Sequence, residues 1–263
     1  MSWACRRLKI SRQAVYQHGP REQHKSDQEQ AVLDSIRPLR QVMPRVGARK
    51  LLEHLPALAV GRDRLFEILR KHGLLVKRRR RYIITTHSDH GLAVWPNLLS
   101  LVTPETPNAV WVADQTYIRL QKGFCYLSLI TDLYSRKIVG YDLHPSLESA
   151  GPLKALRVAL QTVENPRGLI HHSDRGKQYA SDDYVKELKS NGIQISMTAP
   201  RRPDQNAVAE RVNGILKDEF YLDATFNSFF EAQELIIQSI YIYNNIRLHT
   251  TLGMVTPALR HAA

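Results

Sequence analysis

The chain has 263 residues, of which 43% are hydrophobic and 24% are charged. These proportions exclude a wholly disordered chain, and the length allows one large domain or two modest ones. No apolar run approaches the roughly 18 residues of a membrane span, and the first residues lead into basic sequence without a signal-peptide core. Cys5 and Cys125 are too few and too far apart for a disulfide framework or a cysteine-rich zinc module. We therefore expect an intracellular chain that does not cross a membrane.

The positive charge is concentrated in the first third of the chain. Residues 1–99 contain 20 Lys and Arg against 8 Asp and Glu, whereas residues 100–263 contain 17 of each. The formal net charge of +12 therefore belongs entirely to the N-terminal segment. A basic segment attracts a polyanion and releases its counterions, which favours nucleic acid as the partner. The alternative is a basic surface that serves only solubility.

This N-terminal segment has the pattern of short helices. Ser11 is placed as the N-cap of a first helix and Ser26 or Asp27 as the N-cap of a second. Two further helices follow, and the last ends at Gly73. Helices joined by tight turns favour a basic helix-turn-helix region, although an ordinary helical bundle with a basic surface has the same pattern. The cations of the last helix, which we predict to bind DNA, are Arg62, Arg64, Arg70 and Lys71.

Five consecutive cations follow the last of these helices: Lys77, Arg78, Arg79, Arg80 and Arg81. Adjacent cations repel one another unless phosphate neutralises them, so the run is interpreted as a phosphate contact, a solvated linker or both. Beyond it, periodicity is lost and Thr, Ser, His, Asn and Pro become frequent. The predicted domains are therefore a basic helical DNA-binding region at 1–81, a linker at 82–103 and a second domain at 104–263.

The second domain has the pattern of an α/β fold. Five runs have the composition of strands, and they begin near residues 109, 124, 137, 168 and 193. Four stretches between and after them have helical spacing: 147–163, 181–190, 205–220 and 227–243. This order predicts a mixed five-stranded sheet flanked by helices and preceded by the all-α basic region.

Three acidic residues of this domain stand out by their local sequence. Asp114 lies in an apolar strand, where a carboxylate is costly unless it is paired or bound to a metal. Asp174 follows an apolar strand, and strand ends are where such sheets hold ligands. Glu210 shares a helix face with Ala207 and Gly214, whose small side chains predict a close approach to the sheet. The ordinary alternatives are a strand-edge residue, a turn or capping residue, and a solvated helix residue, respectively.

Five sequence blocks in this domain match, in order, those of a known family. They are residues 111–118 (WVADQTYI), 172–179 (HSDRGKQY) and 206–211 (NAVAER), with further matches at 132–140 and 243–257. Thirty-five residues separate Asp174 from Glu210. These features resemble the catalytic core of IS3-type insertion-sequence transposases, which are related to retroviral integrases. One departure is Asp204-Gln205-Asn206, where many members of the family have an adjacent Asp-Asn.

The resemblance implies a ribonuclease H-like fold in which Asp114, Asp174 and Glu210 hold two Mg²⁺ ions, for which Mn²⁺ can substitute. Mg²⁺ prefers hard oxygen ligands, which explains the carboxylates. Two such ions support an in-line displacement at phosphorus, in which first water and then a DNA 3′-hydroxyl attacks. The implied activity is DNA cleavage and strand transfer. Next to the triad, Arg175, Lys177 and Arg211 either hold phosphates or are ordinary surface cations.

The resemblance also implies partners and a location. The partners are the DNA of the element ends and of the target, further copies of the chain in the DNA complex, and the product of an upstream reading frame, because the chain resembles a downstream-frame product. The location is the bacterial cytoplasm, in association with the nucleoid. Two alternatives stay open: a DNA-binding protein without catalysis, and a nuclease of the same fold that cuts without joining.

Other residues compete for a place in such a site. His171 and His172 have no Cys or His partners at zinc spacing, so they are interpreted as strand and loop residues. The competing carboxylates are Asp132, Asp142, Asp204 and Glu219. The strongest of these, Asp132, fits a turn-initiating position before Ser135 and Arg136 better than a metal site.

Overall fold

The structure is a computed structural model that describes residues 2–7, 9, 11–76, 93–200 and 202–263. The chain divides into two units, residues 1–78 and 79–263. The basic run of Lys77, Arg78, Arg79, Arg80 and Arg81, together with residues 82–92 of the predicted linker, lies outside the described residues. Of the helices described, none combines the length and apolar character that a bilayer span requires.

In its described part, the first unit contains four helices: α1 (Ser2–Arg7), α2 (Arg12–Val42), α3 (Ala48–His54) and α4 (Arg62–Lys71). Apolar side chains of α2, α3 and α4 form its core, in which Ile36, Leu51 and Leu65 are fully buried. As predicted, the Ser11 hydroxyl caps α2, because it accepts a hydrogen bond from the Ala14 N–H at 3.0 Å.

The prediction of two helices between Ser11 and Met43 is wrong, since α2 continues without a break through Ser26 and Asp27. This segment is rich in Gln, Glu, Arg and Lys, which have high helix propensity. Their side chains also pair across successive turns, as where Gln23 donates to Asp27 at 2.9 Å. The Asp27 carboxylate thus bonds along the helix, and α2 runs past the position where a second N-cap was expected.

The second unit is built on a mixed sheet. Its strands are β1 (Val110–Leu120), β2 (Phe124–Asp132), β3 (Ile138–His144), β4 (Ile170–Ser173) and β5 (Gln194–Met197), in the spatial order β3-β2-β1-β4-β5. The β1–β2 and β2–β3 pairs are antiparallel, whereas β1–β4 and β4–β5 are parallel. A two-residue strand, β6 (Thr225–Phe226), adds to β1. The predicted five-stranded sheet is confirmed, and β6 is an addition that the sequence analysis missed.

Helices cover both faces of this sheet: α5 (Ala150–Leu160), α6 (Asp182–Ser190), α7 (Ala207–Glu219), α8 (Phe229–Asn245) and α9 (Pro257–Ala262). Trp111 and Ala113 of β1 pack in one buried cluster with residues of α5 and α6. Side chains alternate along a strand, so Asp114 points to the opposite face. The side chain of Asn213, on α7, contacts Asp114 there. The central strand therefore places Asp114 between the sheet and α7.

The described end of the predicted linker is attached to the second unit. Trp95 packs against the cluster beneath α5 and α6. The Leu98 N–H donates to Ser196 Oγ at 2.9 Å, and the Met197 N–H donates to the Pro96 carbonyl at 3.3 Å. Residues 95–98 thus lie along β5.

Gly140 of β3 sits directly against α5. A Cβ atom at this position would overlap the carbonyl oxygen of Ala155 and lie 2.7 Å from the Cβ of Ala159. Because a helix backbone cannot yield locally, we expect Gly140→Ala to destabilise the second unit by about 1–3 kcal/mol, measured by urea-induced unfolding. Gly19→Ala is the control, since no atom lies within 4 Å of a Cβ there. A comparable loss in that control would contradict the steric explanation.

Candidate active site

The pairing of β1 with β4 brings Asp114 and Asp174 to the same level of the sheet. These strands are parallel, and Ala113 is paired with Ser173. Asp114 and Asp174 are the next residues along their chains, and neighbouring strands lie about 4.8 Å apart. Asp174 therefore follows the end of β4 and lies beside the position in β1 that carries Asp114. Both side chains are half-buried.

Two asparagines fix α7 against the same part of β1. Asn206 Nδ2 donates to the Ala113 carbonyl at 3.0 Å, and Asn213 Nδ2 donates to Asp114 Oδ2 at 2.7 Å. Glu210 lies four residues after the first asparagine and three before the second, so all three residues share one helix face. This places Glu210 in the first turn of α7, on the side that faces β1, with an exposed side chain.

The expected reason for the close approach of this helix is wrong for Ala207, which is exposed, whereas Gly214 is half-buried. Ala209, Val212 and Leu216 of the same helix are buried. The helix approaches β1 through these apolar residues and through the two asparagine hydrogen bonds.

The three carboxylates influence one another electrostatically. Burial, and then the negative charge of Asp174, raise the pKa of Asp114 to about 7. Glu210 acts in the same direction, while the hydrogen bond from Asn213 opposes the shift. Among the described residues, no three His, Cys, Asp or Glu side chains are grouped closely enough to hold a metal ion as they stand. The donors nevertheless have the right chemistry, because hard oxygens with excess negative charge suit a divalent cation.

Asp174 also makes a hydrogen bond typical of a turn residue, which was the alternative interpretation of this aspartate. Its Oδ1 accepts a hydrogen bond from the Gly176 N–H at 3.0 Å, which is a turn contact. The neighbouring Arg175 donates from Nε to the Thr198 carbonyl at 2.9 Å. These bonds hold the loop after β4 in place, so the carboxylate is oriented by the backbone that follows it.

Two residues near this cluster were not predicted from the sequence. Lys217 lies on the same face of α7, seven residues after Glu210, and is half-buried. Burial lowers the pKa of this lysine, and the nearby charge of Asp114 opposes that shift. Tyr179 is fully buried, which raises its pKa, and Tyr184, Asp114 and Asp174 add to that shift. The helical spacing from Glu210 is the signal that could have identified Lys217.

Three of the four competing carboxylates have other partners. Asp132 accepts hydrogen bonds from Ser135 N at 2.7 Å and Ser135 Oγ at 2.6 Å, so its turn-initiating role is correct. Glu219 forms a two-bond ion pair with Arg247. Asp204 is exposed and pairs with Arg202, and Asp142 is half-buried on β3.

His171 and His172 are buried in the sheet, in agreement with their interpretation as structural residues. His171 Nε2 lies 2.9 Å from the Tyr184 hydroxyl, and His172 Nδ1 lies 2.8 Å from Ser196 Oγ. Burial lowers the pKa of His171 to about 3 and that of His172 to about 4. Both rings are therefore neutral near pH 7.

Comparison with known proteins identifies the family. A 31 kDa protein of insertion element IS600 from Shigella sonnei is 37% identical over 97% of this chain and 96% of its own length. The transposase InsF of insertion sequence IS3A from Escherichia coli is 30% identical over 97% of this chain and 86% of its own length. The chain belongs to the IS3-type family of insertion-sequence transposases. It is therefore a transposase, of the class of enzymes that transfer phosphoryl groups on DNA.

Further comparisons concern the core of this transposase. Two models of the integrase core domain match residues 104–203 and 191–257. Among solved structures, an intasome of simian T-cell lymphotropic virus in complex with a PP2A regulatory subunit superposes with a TM-score of 0.52 over 86% of this chain and 74% of that chain, at 18% identity. This likeness concerns the fold alone, and it agrees with the expected ribonuclease H-like architecture.

The cations predicted to bind DNA differ in their surroundings. Lys177 and Arg211, beside the carboxylates, are exposed, as are Arg62 and Arg70 on α4. In contrast, Arg64 and Lys71 each donate to the buried Glu29 of α2 at 2.7 Å. The hydrogen bond from Lys71 is the main reason why the pKa of Glu29 lies below its usual value. These two cations therefore fasten α4 to α2.

The raised pKa of Asp114 predicts how the stability of the transposase depends on pH and metal. Without a metal ion, the folded chain keeps a proton on Asp114 up to about pH 7, whereas the unfolded chain releases it near 3.8. The folded state thus binds more protons between these values, so the contribution of this group to stability falls as the pH rises through them.

Because the resemblance implies that Asp114 binds Mg²⁺, we expect Mg²⁺ to raise the melting temperature at about pH 8, where Asp114 is ionised, and to have little effect at about pH 5.5, where Asp114 keeps its proton. Scanning fluorimetry of wild type and Asp114→Asn checks this, since the variant should lose most of the shift at the higher pH. An equal rise in melting temperature with Mg²⁺ at both pH values would contradict a metal-binding role for Asp114.

Proposed function

We propose that this transposase cleaves DNA strands at the ends of an insertion element and joins them to target DNA, with Asp114, Asp174 and Glu210 as its metal-binding carboxylates. The observation that supports this most directly is the raised pKa of Asp114, because burial and the charges of the other two carboxylates produce it together. Such mutual repulsion is costly in a protein unless a cation relieves it.

The three side chains fit Mg²⁺, with Mn²⁺ as its substitute, because they offer hard oxygen donors at a partly buried position. When bound, a pair of such ions activates the attacking oxygen and stabilises the leaving oxygen. Asn213 orients the Asp114 carboxylate through Oδ2, and the Gly176 N–H orients Asp174 through Oδ1. Coordination by all three residues then requires a side-chain adjustment, and Glu210 in the first turn of α7 is the exposed member of the three.

The cations around the carboxylates are proposed phosphate contacts. Lys217 projects from the face of α7 that carries Glu210, and Lys177 and Arg211 are exposed nearby in the chain. Arg175 is half-buried in the loop after β4, where its Nε donates to the Thr198 carbonyl. Guanidinium and ammonium groups at these positions would hold the scissile strand and its neighbours on the carboxylate side of the sheet.

The first unit is the proposed DNA-binding region. We assign residues 1–81 to DNA binding in helix-turn-helix manner, 82–103 to the connection and 104–263 to catalysis. Exposed Arg62 and Arg70 on α4, together with the basic run at 77–81, supply the charge that this role needs. The proposed partners are element and target DNA, further copies of the chain and the upstream-frame product, and the proposed location is the bacterial nucleoid.

The proposed function is tested with a labelled duplex that carries the element end, incubated with purified full-length chain and Mg²⁺. We expect both 3′-end nicks and joined products, and we expect both to disappear when the metal is removed with a chelator. Nicks without joined products would favour the nuclease alternative. Binding without either product, also in the presence of the upstream-frame protein, would favour a DNA-binding protein without catalysis.

A further inference from the structure

The hairpin of β1 and β2 exposes an aromatic and cationic surface that the proposed function leaves unexplained. We call it the hairpin platform and define it as Tyr117, Arg119, Lys122, Phe124 and Tyr126. In the antiparallel register, Tyr117 faces Tyr126 and Arg119 faces Phe124. These residues are two apart on each strand, so four of them share one face, and Lys122 lies in the turn.

The burial of this hairpin is one-sided. On its inner face Ile118, Cys125 and Leu127 are fully buried. An antiparallel hairpin with one packed face usually carries polar residues on the other. Here, however, Tyr117 is 38% exposed and Phe124 is 49% exposed. Exposed neighbouring aromatic rings at this position point to a ligand that covers them.

The rings are held in fixed orientations. Tyr117 lies edge-to-face with Phe124 at 6.0 Å and with Tyr126 at 5.2 Å between ring centroids. The Arg119 guanidinium lies 6.0 Å from the centre of the Phe124 ring. Aromatic side chains in such contacts have few conformations to lose when a flat ligand stacks on them, which lowers the entropy cost of binding.

The backbone at the tip of the hairpin is braced as well. Gly123 adopts a φ of 91°, and the Leu120 N–H donates to its carbonyl at 3.0 Å to close the turn. The Gln121 N–H donates to the Phe226 carbonyl at 2.9 Å, and its side chain donates to Asn227 Oδ1 at 2.7 Å. The platform is therefore attached to β6 and does not depend on a ligand for its shape.

The charge of the platform indicates what it binds. Residues 115–131 include Arg119 and Lys122 but no acidic residue, and both cations are exposed. Aromatic rings next to cations suit a ligand with flat apolar faces and phosphates. In duplex DNA the base faces are already stacked on one another, whereas unpaired nucleotides leave them free.

We propose that the hairpin platform binds unpaired DNA nucleotides, with bases stacked on Tyr117, Phe124 and Tyr126 and with phosphates held by Arg119 and Lys122. This inference rests on the proposed action of the chain on DNA. It adds a further DNA contact, separate from the carboxylates and from the first unit, for strands that open near the element end.

The test uses the full-length chain and a mixed-sequence oligonucleotide of about 20 nucleotides that contains one 2-aminopurine, as a single strand and as a duplex. We expect Phe124→Ala to weaken single-strand binding about tenfold and to abolish quenching of the 2-aminopurine, while duplex affinity changes by less than about twofold. Phe124→Tyr keeps a stacking ring and should retain both signals. Lys122→Gln should lower the salt dependence of single-strand binding by about 0.7 in the log–log slope.

Phe230→Ala is the matched control, because this phenylalanine is 74% exposed on α8. The proposal would be overturned if this control lost as much single-strand binding as Phe124→Ala, or if Phe124→Ala weakened duplex and single-strand binding equally. It would also be overturned if Phe124→Leu bound single strands and quenched 2-aminopurine like wild type, because apolar packing would then suffice. Dissociation of an oligomer by Phe124→Ala with unchanged DNA binding would overturn it in favour of a protein interface.

A cleavage assay on the same proteins separates this inference from the proposed function. Asp114→Asn should lose cleavage but keep the 2-aminopurine signal, which supports both. If wild type fails to cleave while the Phe124 effects hold, the proposed function fails and the platform stands. If wild type cleaves and Phe124→Ala binds single strands normally, only the platform is rejected.

Discussion

Asp114→Asn, Asp174→Asn and Glu210→Gln are each expected to reduce Mg²⁺-dependent strand cleavage by about 10³-fold or more. Each substitution keeps the size of the side chain but removes a negative charge and one oxygen donor, and both are needed to hold a divalent cation. DNA binding should not weaken, because it depends on the cations of both units and not on these carboxylates. Cleavage of a labelled element end and an electrophoretic mobility assay measure the two properties in parallel.

Asp183→Asn is the matched control for these variants. Asp183 is an exposed carboxylate in the first turn of α6, on a helix other than the one that carries Glu210. Its replacement removes the same charge from the same unit, and cleavage should stay close to wild type. Near-normal turnover in one of the three test variants would remove that residue from the metal-binding set. A comparable loss in the control would mean that net charge, not coordination, explains the effect.

Arg247→Met is expected to destabilise the second unit by about 3–5 kcal/mol. Arg247 is only 3% exposed, and its Nε and terminal nitrogen donate to the two carboxylate oxygens of Glu219 at 2.7 and 2.6 Å. Removing the arginine takes away the positive charge that faces the Glu219 carboxylate, whose side chain is only 19% exposed. Urea-induced unfolding measures the loss. Because Glu219 ends α7, the helix that carries Glu210, cleavage should fall as well.

A double-mutant cycle with Glu219→Met separates the ion pair from packing. If the pair itself causes the loss, the double variant should be more stable than Arg247→Met alone, since the carboxylate that lost its arginine partner is removed as well. The control is Arg157→Met, which breaks the Arg157–Glu187 pair at a position where the arginine is 60% exposed; it should cost less than about 1 kcal/mol. Equal losses in Arg247→Met and the double variant would assign the effect to lost packing.

The elements of the second unit could be predicted because their signals are local. The runs that begin near residues 109, 124 and 137 became β1, β2 and β3, since strand composition and turn residues act over a few positions. Thr225 and Phe226 could not be predicted as a strand, because two residues carry no periodicity and pair only where β1 is already in place. In the first unit, the capping residues Ser26 and Asp27 were misleading, because a cap forms only where the preceding turn is not helical.

The carboxylates themselves were singled out from the sequence by their local contexts, without knowledge of their neighbours. The approach of Glu210 to the sheet does not depend on Ala207 as expected, because Ala207 is exposed while Ala209, Val212 and Leu216 are the buried residues of α7. Lys217 was overlooked, since a lysine on an amphipathic helix is ordinary until the helix is packed against a particular strand.

The sequence alone determined the order of strands and helices in the second unit, the three candidate acids and the concentration of positive charge in the first third. Short-range patterns are sufficient for these properties, because backbone preference and net charge belong to the residues themselves. Only the tertiary structure decided that Asn213 would hold Asp114, that Glu219 would pair with Arg247, and that the pKa of Asp114 would rise to about 7. Those properties depend on burial and on atoms that lie tens of residues apart in the chain, and packing of α7 on β1, β2 and α8 brings them together.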